Sequence, residues 1–195
     1  QSYATGDPAS LQQAVANLRA ADIIFVAAGP EDAPAAARLL REHGFTAPIL
    51  GGDGFDSGAR WQQYGELDNI YFTTHAYLGA DNPNPTVQAF RAAYLASHPD
   101  GDPDAFTALG YDAAKLLLTA IATAQSSEPA AVRAALTAIT DFDGVTGHIS
   151  YAPGSPIPSK SVTILAVAEG AYHYITDVVP ASVPAPIPLA ATETV

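Results

Sequence analysis

The feature that most constrains this chain is the run Asp22-Ile23-Ile24-Phe25-Val26-Ala27-Ala28, set between two helical patterns and ended by Gly29-Pro30. A continuous apolar stretch of this kind suits a strand buried on both faces, as in a parallel sheet covered by helices. Upstream, over residues 9–20, Leu11, Val15 and Leu18 share one helical face. Downstream, residues 32–43 read as a helix with Leu39 and Leu40 inward, stopped by Gly44. Pro48-Ile49-Leu50 and Ile70-Tyr71-Phe72-Thr73-Thr74 supply two further strands, separated by a weaker helix carrying Trp61 and Tyr64. Helix alternating with strand predicts an α/β fold, a three-layer doubly wound sheet that is mostly parallel.

The pattern changes after Tyr77. Asp81-Asn82-Pro83-Asn84-Pro85 is a turn cluster, and three helical patterns follow with no strand between them. Their apolar faces are Val87, Phe90 and Tyr94, then Leu109, Ala113, Leu116, Leu117 and Ala120, then Val132, Leu136 and Ile139. Strands return at residues 148–151, 162–167 and 172–175, the last two joined by the hairpin signal Glu169-Gly170. From Pro180 onward, Pro184, Pro186 and Pro188 among Ala and Val predict an extended tail.

Charge and composition remove several classes of function. Eight Lys and Arg stand against 20 Asp and Glu, a formal net charge of -12, which repels phosphate backbones and anionic lipid headgroups alike. No continuous apolar run approaches the ~18 to 20 residues that span a bilayer. Residues 1–20 lack the basic start and apolar stretch of a signal peptide. The absence of Cys removes disulfides and thiol nucleophiles, and leaves the compartment open. His43, His75, His98, His148 and His173 stand in no metal-ligand spacing, and no Ser occupies a nucleophile-elbow context. The glycines at 51, 52 and 54 match neither a dinucleotide nor a P-loop spacing. A binding protein without cofactor or metal is therefore expected, and not an enzyme.

In an open α/β sheet, ligands bind beyond the carboxyl ends of the strands. Three such ends are offered: Ala28-Gly29-Pro30-Glu31, Gly51-Gly52-Asp53-Gly54-Phe55 and Thr74-His75-Ala76-Tyr77. Asp53, framed by glycines, has an accessible carboxylate and a backbone that a ligand can approach closely. Turn-shaping is the competing role for such an Asp, and the residues alone leave both open. Glu31 and Asp32 read as helix-capping acids that complement the dipole. Trp61, Tyr71 and Tyr111 read as packing residues; Tyr77 and Phe55, at strand ends, join Asp53, Gly52, Ala28 and Gly29 as ligand-binding candidates.

The order of motifs resembles the branched-chain amino acid (Leu/Ile/Val) binding proteins, the type I periplasmic solute-binding family of ABC transporters. The resemblance runs from Tyr3-Ala4-Thr5-Gly6-Asp7 through His43-Gly44-Phe45 and Pro48-Ile49-Leu50-Gly51-Gly52-Asp53-Gly54. It continues in Ala108-Leu109-Gly110-Tyr111-Asp112-Ala113-Ala114, Phe142-Asp143-Gly144-Val145-Thr146-Gly147-His148-Ile149 and Gly170-Ala171-Tyr172-His173-Tyr174. It implies a two-lobed trap of which only the later part is present. Residues 1–75 and 144–179 would supply the C-terminal lobe, residues 76–143 would resemble helices of the other lobe, and residues 180–195 would be a Pro-rich tail. It also implies capture of an amino acid or related small amine by lobe closure, with a membrane permease of an ABC transporter as partner. The location implied is periplasmic or extracellular, with a lipid anchor as an option in the full-length protein. Asp53 takes the position that pairs with the ligand ammonium, an interaction whose removal costs about 2 to 5 kcal/mol in a closed cleft. Ala28-Gly29 departs from the aromatic that amino-acid binders often place at the first strand end, which leaves leucine-type selectivity open. The alternative is the ligand-sensing ectodomain of a signalling receptor with the same fold. An apolar stripe on the 104–124 helix would expect a sheet partner, and self-association of a lone half is the corresponding expectation.

Overall fold

The computed structural model describes residues 1–182; the expected tail lies, from 183 on, outside the described residues. In chain order the first body contains α1 (Pro8–Ala16), β1 (Ile24–Val26), α2 (Ala33–Glu42), β2 (Ile49–Gly51), two 3₁₀ turns (Asp53–Phe55 and Gly58–Tyr64) and β3 (Ile70–Thr74). Helices α3 (Pro85–Ser97), α4 (Ala105–Ala124) and α5 (Pro129–Leu136) follow. Then come β4 (Phe142–Gly144), β5 (Gly147–Tyr151), β6 (Pro158–Lys160), β7 (Val162–Ala168) and β8 (Ala171–Val178).

Five strands form one sheet in the order β1-β2-β3-β7-β8, parallel across the first three and antiparallel from β3 to β7 and from β7 to β8. The architecture is the α/β one expected. Ile24, Ile49 and Ile70 stand in register across the parallel half, and all three are buried. A smaller antiparallel sheet, β4-β5-β6, accompanies the helices.

Local chemistry explains the helix starts. Asp7 accepts hydrogen bonds from the amides of Ala9 and Ser10, Asn84 from that of Thr86, and Asp104 from that of Thr107; Pro8 and Pro85 occupy first-turn positions where a missing N–H costs nothing. Asp32 corrects the capping expectation. Its side chain makes no cap bond to α2 and instead accepts the Gly6 amide at 3.0 Å. Pro34, in the first turn of α2, has removed one of the amides a capping carboxylate would use. Arg41, at the end of α2, donates to the carbonyls of Phe45, Ala47, Asp68 and Asn69, so one guanidinium ties the helix to the entries of β2 and β3.

The described core falls into two clusters. The larger joins Leu11 and Val15 of α1, Ala36, Ala37 and Leu40 of α2, the sheet residues Ile24, Ile49, Ile70, Phe72, Leu165 and Val167, and the aromatics Phe55 and Trp61. The smaller contains Ala76, Leu78, Val87, Phe90, Ala108 and Val145.

Two expectations about apolar faces change. Strand β1 was expected to be buried on both sides, yet Ile23 and Phe25 are 57% and 66% exposed. It is the edge strand; Ile24 packs on the helices, while its neighbours point to a face that no described element covers. On α4 the buried stripe is Ala105, Ala108, Asp112, Leu116 and Ala120, displaced from the Leu109-Leu117 face, and Leu117 and Leu118 are exposed.

Asp112 is the reason for that displacement. Its buried carboxylate accepts the amides of Val145 and Thr146 and the Thr146 hydroxyl, at 2.9, 2.8 and 2.8 Å, which clamps the β4–β5 turn onto the helix. A Cβ on Gly144 would overlap this carboxylate. By length and composition Ala105–Ala124 is apolar enough to cross a membrane, although polar residues interrupt its apolar run. Here it is a helix of a folded α/β body whose one buried acid is fully hydrogen-bonded.

Candidate functional site

The carboxyl ends of β1 and β2 are drawn together by glycine. A Cβ on Gly54 would overlap the Ala28 carbonyl oxygen and lie 3.3 Å from the Gly29 Cα. A Cβ on Gly51 would overlap the Phe55 ring. No other residue type allows both the backbone approach at 54 and the ring placement over 51. The result is a tight junction from which Asp53 projects, at the start of a 3₁₀ turn closed by the Phe55 amide on the Gly52 carbonyl (3.0 Å).

The Asp53 side chain is 59% exposed, and its Oδ2 lies 3.4 Å from Nε2 of His75, the first residue after β3. The His75 ring in turn meets Phe106, in the first turn of α4, edge-on at 6.1 Å between centroids. Phe106 is 46% exposed. Three separate segments thus bring a carboxylate, an imidazole and a phenyl ring to one accessible place. That combination has the chemistry to hold a cationic group carried on an apolar body. His75 stood in the third strand-end motif without being singled out. Phe106 carried no signal of its own in the chain, because it reaches the site only through the packing of α4.

Of the other candidates, Ala28, Gly29 and Gly52 lie half-buried around the Asp53 junction. Glu31 folds back so that its Oε2 is 3.3 Å from where a Gly29 Cβ would stand, which adds a second acid to this end of the sheet. Phe55 is a correction. Its ring is fully buried, tilted against Trp61 and Phe72 at 5.8 and 6.3 Å, because the 3₁₀ turn directs it under the sheet end and over Gly51. Its carbonyl accepts Trp61 Nε1–H at 2.9 Å and the Tyr172 hydroxyl at 3.2 Å. Phe55 therefore supports the junction and presents no surface to a ligand.

Tyr77 is engaged with Asp81. Its hydroxyl donates to the Asp81 carboxylate at 2.7 Å, its ring lies 5.9 Å from that of Tyr174, and it lines two cavities that Asp53 does not line. Burial first, and then the Asp81 carboxylate, push the Tyr77 phenol up to about 12, so it remains a donor at physiological pH.

Beneath the junction, Asp56 accepts the Thr74 hydroxyl at 2.6 Å and pins the 3₁₀ segment to β3. Burial pushes its carboxyl upward, against the opposing effect of that hydrogen bond. Burial likewise raises the Tyr172 phenol, whose oxygen accepts the Gly58 amide at 2.8 Å. Lys160, in β6, donates to the carbonyls of His75 and Ser161 at 3.0 and 3.3 Å, and burial lowers its ammonium. These half-buried groups fix the segments that carry Asp53 and His75. Among the described residues, one exposed group of metal-ligand type, Asp141, Asp143 and His148, lies on β4 and β5 and just before them, away from this site.

The chain is similar to several solved structures. A leucine-binding protein from Thermotoga maritima is 30% identical, with a TM-score of 0.74, over 90% of this chain and 50% of that one. The branched-chain amino acid transporter substrate-binding protein of Streptococcus pneumoniae, solved with isoleucine, is 25% identical, with a TM-score of 0.77, over 91% of this chain and 51% of that one. A solute-binding protein of an ABC transporter from Rhodopseudomonas palustris, solved with benzoate, shares the fold at 20% identity, with a TM-score of 0.65, over 91% and 48%. The chain thus spans about half the length of these relatives. No curated protein sequence matches it. The family profile described as periplasmic binding protein matches residues 2–171, nearly all of the described chain, and this protein belongs to that family.

Proposed function

We propose that this chain forms the later half of an extracytoplasmic solute-binding protein of an ABC transporter, one that captures an amino acid or related small amine and catalyses no reaction. The observation that carries the reading is the Asp53 carboxylate, held out from a glycine-enforced strand junction with His75 beside it and Phe106 against the His75 ring. An ammonium meeting Asp53 gains a charge-assisted hydrogen bond, and the carbon body beside it gains the Phe106 ring. Leucine and isoleucine, named for the two most alike of the relatives above, carry that pairing of an ammonium with an apolar chain.

In this reading, residues 1–75 and 144–179 belong to the lobe that presents Asp53, and residues 76–143 belong with the opposite lobe. Phe106 then approaches Asp53 from across the cleft, and closure brings the two together. A ligand that contacts both sides favours the closed state by its differential contacts there. A permease in the membrane is the partner that would receive the solute from the closed form.

The test is a thermal-shift screen of L-amino acids, amides and aromatic acids against this chain joined to a leading lobe of the length its relatives have. A true ligand at a hundred times its Kd adds about 2.7 kcal/mol of stability. Asp53→Ala should abolish the response to amines while leaving the unliganded melting temperature almost unchanged. An undiminished response in that variant removes Asp53 from the site.

A further inference from the structure

A second cavity, distinct from the Asp53 junction, has a chemistry of its own. It lies between residues 76–84, the turn joining β4 to β5, and the strands β7 and β8, and encloses about 300 Å³. Tyr77, Asp81, Thr146, Ser161, Tyr174 and Asp177 are among its lining residues. The rings of Tyr77 and Tyr174 are neighbours, 5.9 Å between centroids and 35° from parallel.

Both phenol groups are already committed. Tyr77 donates to Asp81 at 2.7 Å and Tyr174 to Asp177 at 3.0 Å, and Asp177 also accepts the Thr163 hydroxyl at 2.7 Å. The hydroxyls are therefore spent on fixing two carboxylates in place, and what the wall offers to a guest is ring surface and negative charge. No Lys, Arg or His is among the described lining residues. Two cations stand near it, and both are engaged elsewhere. Lys160 senses Asp177 but directs its ammonium to the carbonyls of His75 and Ser161, and the buried Arg91, which acts on Tyr77, donates to the Leu78 carbonyl and to Asp102.

We propose that this cavity is a second binding site, for a small organic cation with an alkylated ammonium head. Two adjacent electron-rich rings attract a cation through their quadrupoles, and an alkylated ammonium loses less hydration on entry than a bare one. The two carboxylates supply the long-range charge, and Ser161 supplies a hydroxyl for a polar substituent, the Thr146 hydroxyl being held by Asp112. The volume sits at the small end of ligand pockets, which suits a head group with a few carbons and excludes a long chain. The site is independent of Asp53, which does not line it.

Choline is the probe and its neutral carbon analogue, 3,3-dimethyl-1-butanol, is the control, both titrated into the full chain and followed by amide NMR. Choline should bind saturably and perturb amides around Tyr77 and Tyr174, whereas the alcohol should not. Tyr174→Leu should weaken choline roughly fivefold, while Tyr174→Phe keeps the ring and most of the affinity. Asp81→Asn, at an exposed position, should weaken it while preserving the fold, and serves as the deciding variant if Tyr174→Leu does not fold. Asp53→Ala should leave choline binding unchanged, whatever it does to amino acids. Equal binding of the alcohol, no saturable choline binding, or binding indifferent to both Asp81→Asn and the loss of the Tyr174 ring overturns the proposal.

Discussion

The body around the five-stranded sheet and the layer built from α3, α4 and α5 bury their side chains by different means. The first has a continuous core in which Trp61, Phe55 and Phe72 lie under the parallel strands, with Ile49 and Ile70 fully enclosed. The second buries a small cluster of mostly modest side chains and uses two buried charges: Asp112, which stitches α4 to the β4–β5 turn, and Arg91 of α3, which donates to the Leu78 carbonyl and to Asp102. It also leaves Phe106, Tyr111, Leu117 and Leu118 in solvent. The contrast shows which part is a self-sufficient packing unit. One region is held mainly by area, the other more by satisfied buried charges, and exposed apolar surface remains where area is not used.

The largest expected effect breaks the first region. Trp61→Ala removes a fully buried ring together with the Trp61 Nε1–H bond to the Phe55 carbonyl, and should cost about 3 to 5 kcal/mol. Urea unfolding measures it, and a loss under 1 kcal/mol would show that the aromatic cluster does not hold the sheet body. Next, Asp112→Ala leaves two turn amides and a hydroxyl without their acceptor, at a cost of roughly 3 kcal/mol. Hydrogen exchange sharpens the comparison here. Protection should fall in α3 and α4 and hold in β1, β2 and β3. A uniform loss would mean that the two regions unfold as one unit.

The smallest effect is a pH dependence. Burial raises the Asp56 carboxyl, so the folded chain retains a proton that the unfolded chain releases. That contribution to stability is present at low pH and declines as pH rises through the ordinary aspartate value, about 3.9, toward the raised one. In Asp56→Asn, which keeps an acceptor for the Thr74 hydroxyl, this decline should vanish. Comparing unfolding midpoints of the two proteins between pH 3.5 and pH 7, roughly the window above, checks the sign. A parallel pH profile would place the retained proton elsewhere.

Much of the local architecture was legible in the chain, because local periodicity and local chemistry carry it. The Ile24, Ile49 and Ile70 strands, the turn at Asp81-Asn82-Pro83-Asn84-Pro85 and the glycine-framed Asp53 could all be read from neighbours within a few residues. A strand end says that a side chain is near a crevice, not which side of the backbone it takes, and this is why the burial of Phe55 and the partner of Tyr77 were not legible. A 3₁₀ turn sends Phe55 inward, and a hydrogen bond to Asp81 turns Tyr77 toward Tyr174. The face of α4 was misplaced for a related reason. A helical wheel ranks Leu above Asp for burial, and it has no knowledge of a turn 33 residues away that needs an acceptor.

What the sequence determined by itself is the succession of helices and strands and the caps at Asp7, Asn84 and Asp104. Those properties follow from backbone hydrogen bonding and steric limits within a few residues. Only the tertiary structure decided that His75 and Phe106 share the Asp53 site, that Asp112 is a clamp, and that Tyr77 and Tyr174 form the wall of another cavity. Each of those joins side chains far apart in the chain, and their partners are chosen by how the packed elements meet, which no local pattern encodes.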